Sequence, residues 1–444
     1  MAIASTCVWE VRSGGSDQNG GGFVAGAGTD YSQQNAAQVA VADAVANGTT
    51  TLTSATAGFT AAAVGNVVYL AGGTGSLAGT RRQIVTYNGP MSVNVDATVP
   101  VGTGLTARVG GCLATLKEVS LYAQDGNVCY GTGTQNLGAT VNPWNSGRIE
   151  GYATTRGDGG LWTHTGTAAV PMIQTTIPNG STLMAFANLD LNANSTATKC
   201  FFEATQTNTG HTNCTYRNAT SHGFHDSHYG SPSCVDCKFT GNGGGGYVRD
   251  PGLGGLAAFS ACKFAGNGGG GCISNSATIQ AIACTATGNT GVGILQSFAA
   301  GTAHIERCTA FGNTSHGFTY GRGGFQYEFS QRCINCISYG NGGYGFYNPA
   351  SSPQFGLQLI NCAGGSNTSG FSAQGSAQQK ACVTLTANPF ANSGTGDFSL
   401  NATAGGGAAC RGTGLPTLTD IGAVQHADPA GGGGAGVTWF GGFG

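Results

Sequence analysis

Charge is what this 444-residue chain has least of. Asp, Glu, Lys and Arg together make up 8% of it, against roughly 25% in an average soluble domain. The formal net charge is −2, which gives no electrostatic case for binding nucleic acid or an anionic membrane surface. No apolar run is long enough to span a bilayer. A leucine lattice is missing, and so are stretches of Ala, Leu and Glu at helical spacing, which removes leucine-rich and helical repeats. The opening residues Met1–Gly15 have neither a basic segment nor an apolar core of a secretory signal. The expectation is use without Sec export, or a signal already removed. Disorder is not implied, because 40% of the residues are hydrophobic and net charge is low.

Glycine is abundant, with 80 residues, and it falls in a repeat. Seven segments share one form: Cys214–Phe224, Cys237–Tyr247, Cys262–Cys272, Cys284–Ile294, Cys308–Phe318, Cys336–Phe346 and Cys362–Phe371. Each has a Cys, an Asn four or five places on, then a Gly before an aromatic or apolar residue. The Cys residues are 23, 25, 22, 24, 28 and 26 apart. A motif recurring at a period in the twenties marks a solenoid. Gly, Asn, Thr and Ser avoid helix interiors. Around each Cys the chain alternates, with Val235, Cys237 and Phe239, or Ile282, Cys284 and Ala286, expected inward on a half-buried strand. One turn per period, stacked at about 4.8 Å, is a parallel β-helix.

Two columns follow from the stacking. Asn218, Asn242, Asn267, Asn289, Asn313, Asn341 and Asn367 fall at one corner of successive turns. Their amides can form a ladder, and Asn tolerates the left-handed backbone of a sharp corner. Cys214, Cys237, Cys262, Cys284, Cys308, Cys336 and Cys362 form the other column. Their spacing of about 4.8 Å exceeds the ~3.8 Å Cβ separation of a disulfide. They read as small buried hydrophobes, reduced. Cys234–Cys237 and Cys333–Cys336 are CxxC pairs, but one Cys of each belongs to the column and four turns separate them, so no zinc, other metal or cofactor is expected. A disulfide among Cys7, Cys112 and Cys129 stays open.

This pattern resembles the right-handed parallel β-helix proteins of the pectate-lyase-like superfamily, which includes many phage tailspikes. The likeness is strong over 211–371 and extends weakly from about 112 to 425. Gly147–Asp158 resembles an early coil and Asn388–Gln425 the end of the helix. The expected fold is all-β: an N-terminal β-module over 1–110, the β-helix over 111–425, and a Gly-rich tail over 426–444. Within the module, Phe59–Gly73, Arg81–Gly89 and Met91–Val99 read as strands, and Gln33–Ala46 as a short helix. The module resembles head regions on phage-like and environmental bacterial β-helix proteins.

The fold class hosts lyases, hydrolases, epimerases and binding shafts, so chemistry must be argued from side chains. Asp226 and Asp250 stand 12 and 13 residues beyond Cys214 and Cys237, and are expected side by side on successive turns. With His225 they form the catalytic candidate, since a carboxylate pair in a groove would suit glycoside hydrolysis. His228, Tyr229 and Arg249 join that cluster, and Arg322, Tyr327 and Glu328 form a second sugar-facing patch. Glu306 beside Arg307, and Glu328 near Arg332, read as surface pairs. No lyase or hydrolase signature is intact. The leading expectation is a non-enzymatic, glycan-binding fibre, spike or surface decoration protein of a virion. It would work with other virion or surface proteins, with no nucleic acid and no membrane span. Its rivals are a polysaccharide depolymerase and a purely structural filament or capsid-decorating subunit. Few charges guard the sheet faces, so a homo-oligomer is expected, a trimer by the tailspike resemblance, with Val437–Phe440 docking on a last turn or a neighbour.

Overall fold

A computed structural model of the chain describes residues 3–176, 183–205, 208–251, 254–275, 278–296, 303–320, 331–348, 357–372, 377–416 and 419–425. Among the described residues three sheets run along one solenoid, with 13, 11 and 8 strands, all parallel except for the antiparallel edge strand Gly22–Phe23 on Val8–Arg12. One turn shows the path. Ser233–Val235 lies in the first sheet, Lys238–Thr240 in the second and Tyr247–Arg249 in the third. Leu256–Ser260 then returns to the first sheet beside Ser233–Val235. The protein is a parallel β-helix whose core is one continuous column of buried side chains.

The corners explain the repeat. Between the first two sheets the residue before each Cys is left-handed, from Asn213 and Asp236 through Asn361, with φ of 48–54°. This bend interrupts the alternation expected across it. Val235 is 42% exposed, not inward, while Cys237 and Phe239 are buried on the far side of the corner. Ile282 is likewise only half-buried. The seven Cys are buried with free thiols, and so is every other Cys except the half-buried Cys382. The thiols donate to carbonyls, as Cys237 Sγ does to His211 O (3.5 Å) and Cys262 Sγ to Cys234 O (3.3 Å). Cys7, Cys112 and Cys129 are free as well.

At the next corner the roles of Gly and Asn differ from expectation. The left-handed residue is the Gly, at positions 241, 266, 288, 312 and 340, with φ of 61–68°. An added Cβ is strained there, so Gly fits. The following Asn turns inward. Asn242, Asn267, Asn289, Asn313, Asn341 and Asn367 are buried and linked in sequence, each Nδ2 donating to the next Oδ1 at 2.8–2.9 Å. Asn218 is outside this ladder. It holds the left-handed place itself (φ 60°), bonds Asn192, and leaves Ala219 in the column.

Other expectations need correction. Val39–Ala46 is a strand, not part of a helix; VAVADAVA alternates, and both its edges are paired, with Thr51–Thr53 and Gly102–Val109. It belongs to a closed six-stranded barrel inserted after the first solenoid strand. That strand, Val8–Arg12, pairs in parallel with Asn127–Thr132, so the solenoid begins before the 110 boundary. Among the described residues the α-helix is Leu116–Ser120, capped by Thr115 Oγ1, which accepts from Glu118 N–H. Residues 388–425 do not add a coil. They fold back over the second sheet, where the outward residues change from Lys263 and Thr285 to Ile337 and Ala363. Phe390, Phe398, Leu400 and Ile421 cover that apolar patch. Asn335 fixes the flap through both backbone groups of Leu415 (2.5 and 2.9 Å).

Cys382 ends the thiol column, and a hydrogen bond from Cys362 lowers its pKa to about 7. A thiolate-directed dye should therefore label about one of the 16 thiols in the native protein. All 16 should react after denaturation. Rapid native labelling of several thiols would show that the column is not sealed.

Candidate functional site

Each short strand of the third sheet reads in, out, in. The first inward column is Phe201, Phe224, Tyr247, Cys272, Ile294, Phe318 and Phe346; the second is Glu203, Asp226, Arg249, Ser274, Gln296 and Tyr320. Between them the outward column runs Phe202, His225, Val248, Ile273, Leu295, Thr319, Tyr347. Core packing explains the first column and hydrogen bonding the second. The outward column is a largely apolar stripe with a ring cluster near each end; Phe202, His225, Ile273, Leu295 and Tyr347 are half-buried, while Val248 (7% exposed) and Thr319 (8%) are covered.

The first cluster joins three turns. Lys199 Nζ lies 3.7 Å from the centre of the Phe202 ring, a cation–π contact. Phe202 stacks on His225 at 5.2 Å, and His222 meets His225 at 5.1 Å. His225 Nε2 bonds Asp250 Oδ1 at 2.9 Å. His222 Nδ1 accepts from Gly245 N–H at 3.1 Å. Burial first, and then the charge on His225 and Lys199, lower the His222 pKa to about 4. The ring is thus neutral near pH 7, with its proton on Nε2. Burial also lowers the Lys199 pKa, opposed by Asp250. In the second cluster His316 stacks on Tyr347 (4.0 Å, 13° between planes), and Tyr344 lies nearly parallel to Tyr347 (5.6 Å, 4°). His316 Nδ1 accepts from Tyr344 N–H at 2.9 Å, and burial lowers its pKa.

The expected pairing of Asp226 with Asp250 does not form. Asp226 registers with Arg249, and Asp250 stands one residue further on. A one-residue offset changes the face of a strand. Asp226 is therefore inside and fully buried, while the Asp250 side chain is 42% exposed on the outer face. Arg249, expected to meet glycan, is also fully buried. Its Nε and Nη2 hold Asp226 at 2.7 and 2.6 Å, and Nη2 also donates to Gly230 O at 2.5 Å. Burial pushes the Asp226 carboxyl pKa up, opposed by Arg249. His228 is half-buried, its N–H bonded to Asp226 Oδ1, and Tyr229 is half-exposed on the same loop. Arg322, Tyr327 and Glu328 lie outside the described residues. Glu306 does pair with Arg307, at 3.4 Å, and bonds His304. Among the described residues no group of three or more His, Cys, Asp or Glu is placed to hold a metal ion, and no helix is long and apolar enough to cross a membrane.

Lys199, Phe202, His316, Tyr344 and Tyr347 were not singled out from sequence. A signal existed: the segment Ser-His-Gly-Phe occurs twice, at Ser221–Phe224 and Ser315–Phe318. Both His rings accept a backbone N–H from the next turn.

Residues 200–363 match the family described as "Right handed beta helix region", and the fold of the chain is a right-handed parallel β-helix. No curated protein matches it by sequence. Similar solved structures include the A-module of mannuronan C-5 epimerase AlgE4 from Azotobacter vinelandii, at 13% identity and a TM-score of 0.40, covering 58% of this chain and 85% of that one. Pectate lyase Pel9A is 14% identical with a TM-score of 0.42, covering 71% and 92%. The catalytic unit of a GH87 alpha-1,3-glucanase from Streptomyces thermodiastaticus is 10% identical with a TM-score of 0.33, covering 79% and 86%. These likenesses carry no assignment of chemistry.

Proposed function

We propose that this β-helix is a glycan-binding protein that holds an extended sugar chain along the outer face of its third sheet. The observation that carries the reading is the in-register stripe from Phe202 to Tyr347, with a ring cluster near each end. A chain laid along the solenoid axis passes one turn about every 4.8 Å. Flat rings take the apolar faces of sugars, while Lys199, His222 Nε2 and Asp250 offer hydrogen bonds at the rim. A non-enzymatic role is the leading form of this proposal, since Asp250 is the one carboxylate on this face among the described residues.

A second reading, a depolymerase acting by proton transfer, draws support from one observation. A neutral His222 and a Lys199 of lowered pKa stand beside the His225–Asp250 pair. One experiment addresses both readings. The protein is screened on an array of neutral and acidic glycans, and bound ligands are then checked for chain cleavage. The paired variant Phe202→Ala and Tyr347→Ala should lose about 1 kcal/mol per ring, or roughly thirty-fold in Kd. Cleavage abolished by His225→Ala would favour the depolymerase. A wild-type protein that binds no glycan, or a double variant that binds as well as wild type, would sink the proposal.

A further inference from the structure

The outer face of the second sheet carries a charge arrangement that the fold does not need. Lys238 and Lys263 are directly in register on adjacent strands. Lys238 is exposed and Lys263 half-buried. Like charges directly opposite one another destabilise a sheet, and this chain has only 17 Lys and Arg in all. The ion pairs among the described residues use neither lysine. Arg217, on the preceding strand, is engaged bidentately by Asp190 at 2.8 and 2.7 Å. Asp236 sits at the corner before Lys238 without pairing to it, and Asp397 holds the Ser399 N–H at 2.9 Å.

The C-terminal segment borders this rung on one side. The folded-back C-terminal segment ends its cover here, and Lys263 Nζ lies 3.4 Å from where a Cβ on Gly396 would stand. Thr215 and Thr285 flank the two lysines in the same outward column, and Thr240 lies beside them. Two lysines on neighbouring strands, whose backbones run about 4.8 Å apart, with hydroxyls around them and the C-terminal segment on one side, suit an oxyanion that bridges both ammonium groups.

We propose that the Lys238–Lys263 rung is an anion site that takes the carboxylate or sulfate groups of an acidic polysaccharide. It stands on a different face from the third-sheet stripe and does not depend on it. The test compares wild type with Lys238→Gln/Lys263→Gln and with Lys238→Arg/Lys263→Arg. The probes are dextran sulfate, polygalacturonate, neutral dextran and a duplex DNA. Wild type should bind both acidic polysaccharides at low salt and release them as salt rises, since the contact is ionic. The Gln pair should weaken that binding roughly two- to thirty-fold, and the Arg pair should retain it. Without ligand, the Gln pair should melt higher than wild type at low salt, and the gain should vanish at high salt as repulsion is screened. A Gln pair that is folded by circular dichroism yet binds acidic polysaccharide like wild type would overturn the proposal. So would wild-type binding to DNA without binding to either acidic polysaccharide. A result on the sulfated polymer alone, or on the uronate polymer alone, supports the site and names its source.

Discussion

Replacing Asn267 with Ala should cost roughly 4 kcal/mol of stability. The side chain makes four hydrogen bonds in the interior. Nδ2 donates to Asn289 Oδ1 (2.9 Å) and to Phe239 O (3.0 Å), and Oδ1 accepts from the N–H (3.1 Å) and Nδ2 (2.9 Å) of Asn242. Truncation removes all four and leaves the buried Asn242 N–H without its acceptor. A stranded buried donor costs about 1–3 kcal/mol, and each ordinary bond lost adds about 1 kcal/mol. Two comparisons separate the ladder from the corner. Asn367→Ala should cost less, because Asn367 ends the ladder and is slightly exposed. Asn218→Gly should be nearly neutral, since Asn218 is left-handed and outside the column. Urea midpoints decide the order. An Asn267→Ala protein within about 1 kcal/mol of wild type would mean that the ladder adds little.

The parts of this structure that were legible in sequence are those that stacking repeats. A residue in a core or ladder column meets its own kind above and below, so Cys, Asn and Gly recur at nearly constant spacing. Outward positions carry no such constraint. The stripe Phe202, His225, Val248, Ile273, Leu295, Thr319, Tyr347 has no shared residue type, and only the inward neighbours reveal its register. Corners hid the rest. A left-handed residue such as Asp236 resets the alternation, which moved Val235 from the expected core to the surface. Counting from Cys also ignored turn length. Asp226 and Asp250 differ by one position in offset, and that single step put them on opposite faces. The strand at Val39–Ala46 shows a different limit: Ala favours helix locally, and pairing on both edges, with residues up to 70 positions away by register (Val39 with Val109), overrides it.

The pair Asp226 and Arg249 should behave as a unit, and separating them should be among the most damaging changes to the solenoid. Both side chains are fully buried. Asp226 accepts from Arg249 twice, from Tyr247 Oη at 3.0 Å and from His228 N–H at 3.1 Å, so its charge is well compensated. Asp226→Ala leaves a guanidinium inside the solenoid with the carbonyls of Gly230 and Gly254 and the charge of the buried Glu203 as its remaining partners. Breaking a buried pair in this way costs about 3–5 kcal/mol. Replacing both partners, as Asp226→Leu with Arg249→Met, removes both desolvation penalties and should recover most of the loss. The recovery will not be complete in function. Arg249 also donates to Gly230 O and Gly254 O, tying the loops after both strands to the interior. Asp250, which bonds His225 on the outer face, is the first residue of the second loop. The double variant should therefore unfold near the wild-type urea midpoint. Its amide hydrogens around Gly230 and Gly254 should exchange faster, and the glycan binding proposed for the outer face should be weaker. An Asp226→Ala protein as stable as wild type would sink the buried pair as a structural tie. A stable double variant with unchanged exchange and full binding would show that the interior charge does not position Asp250.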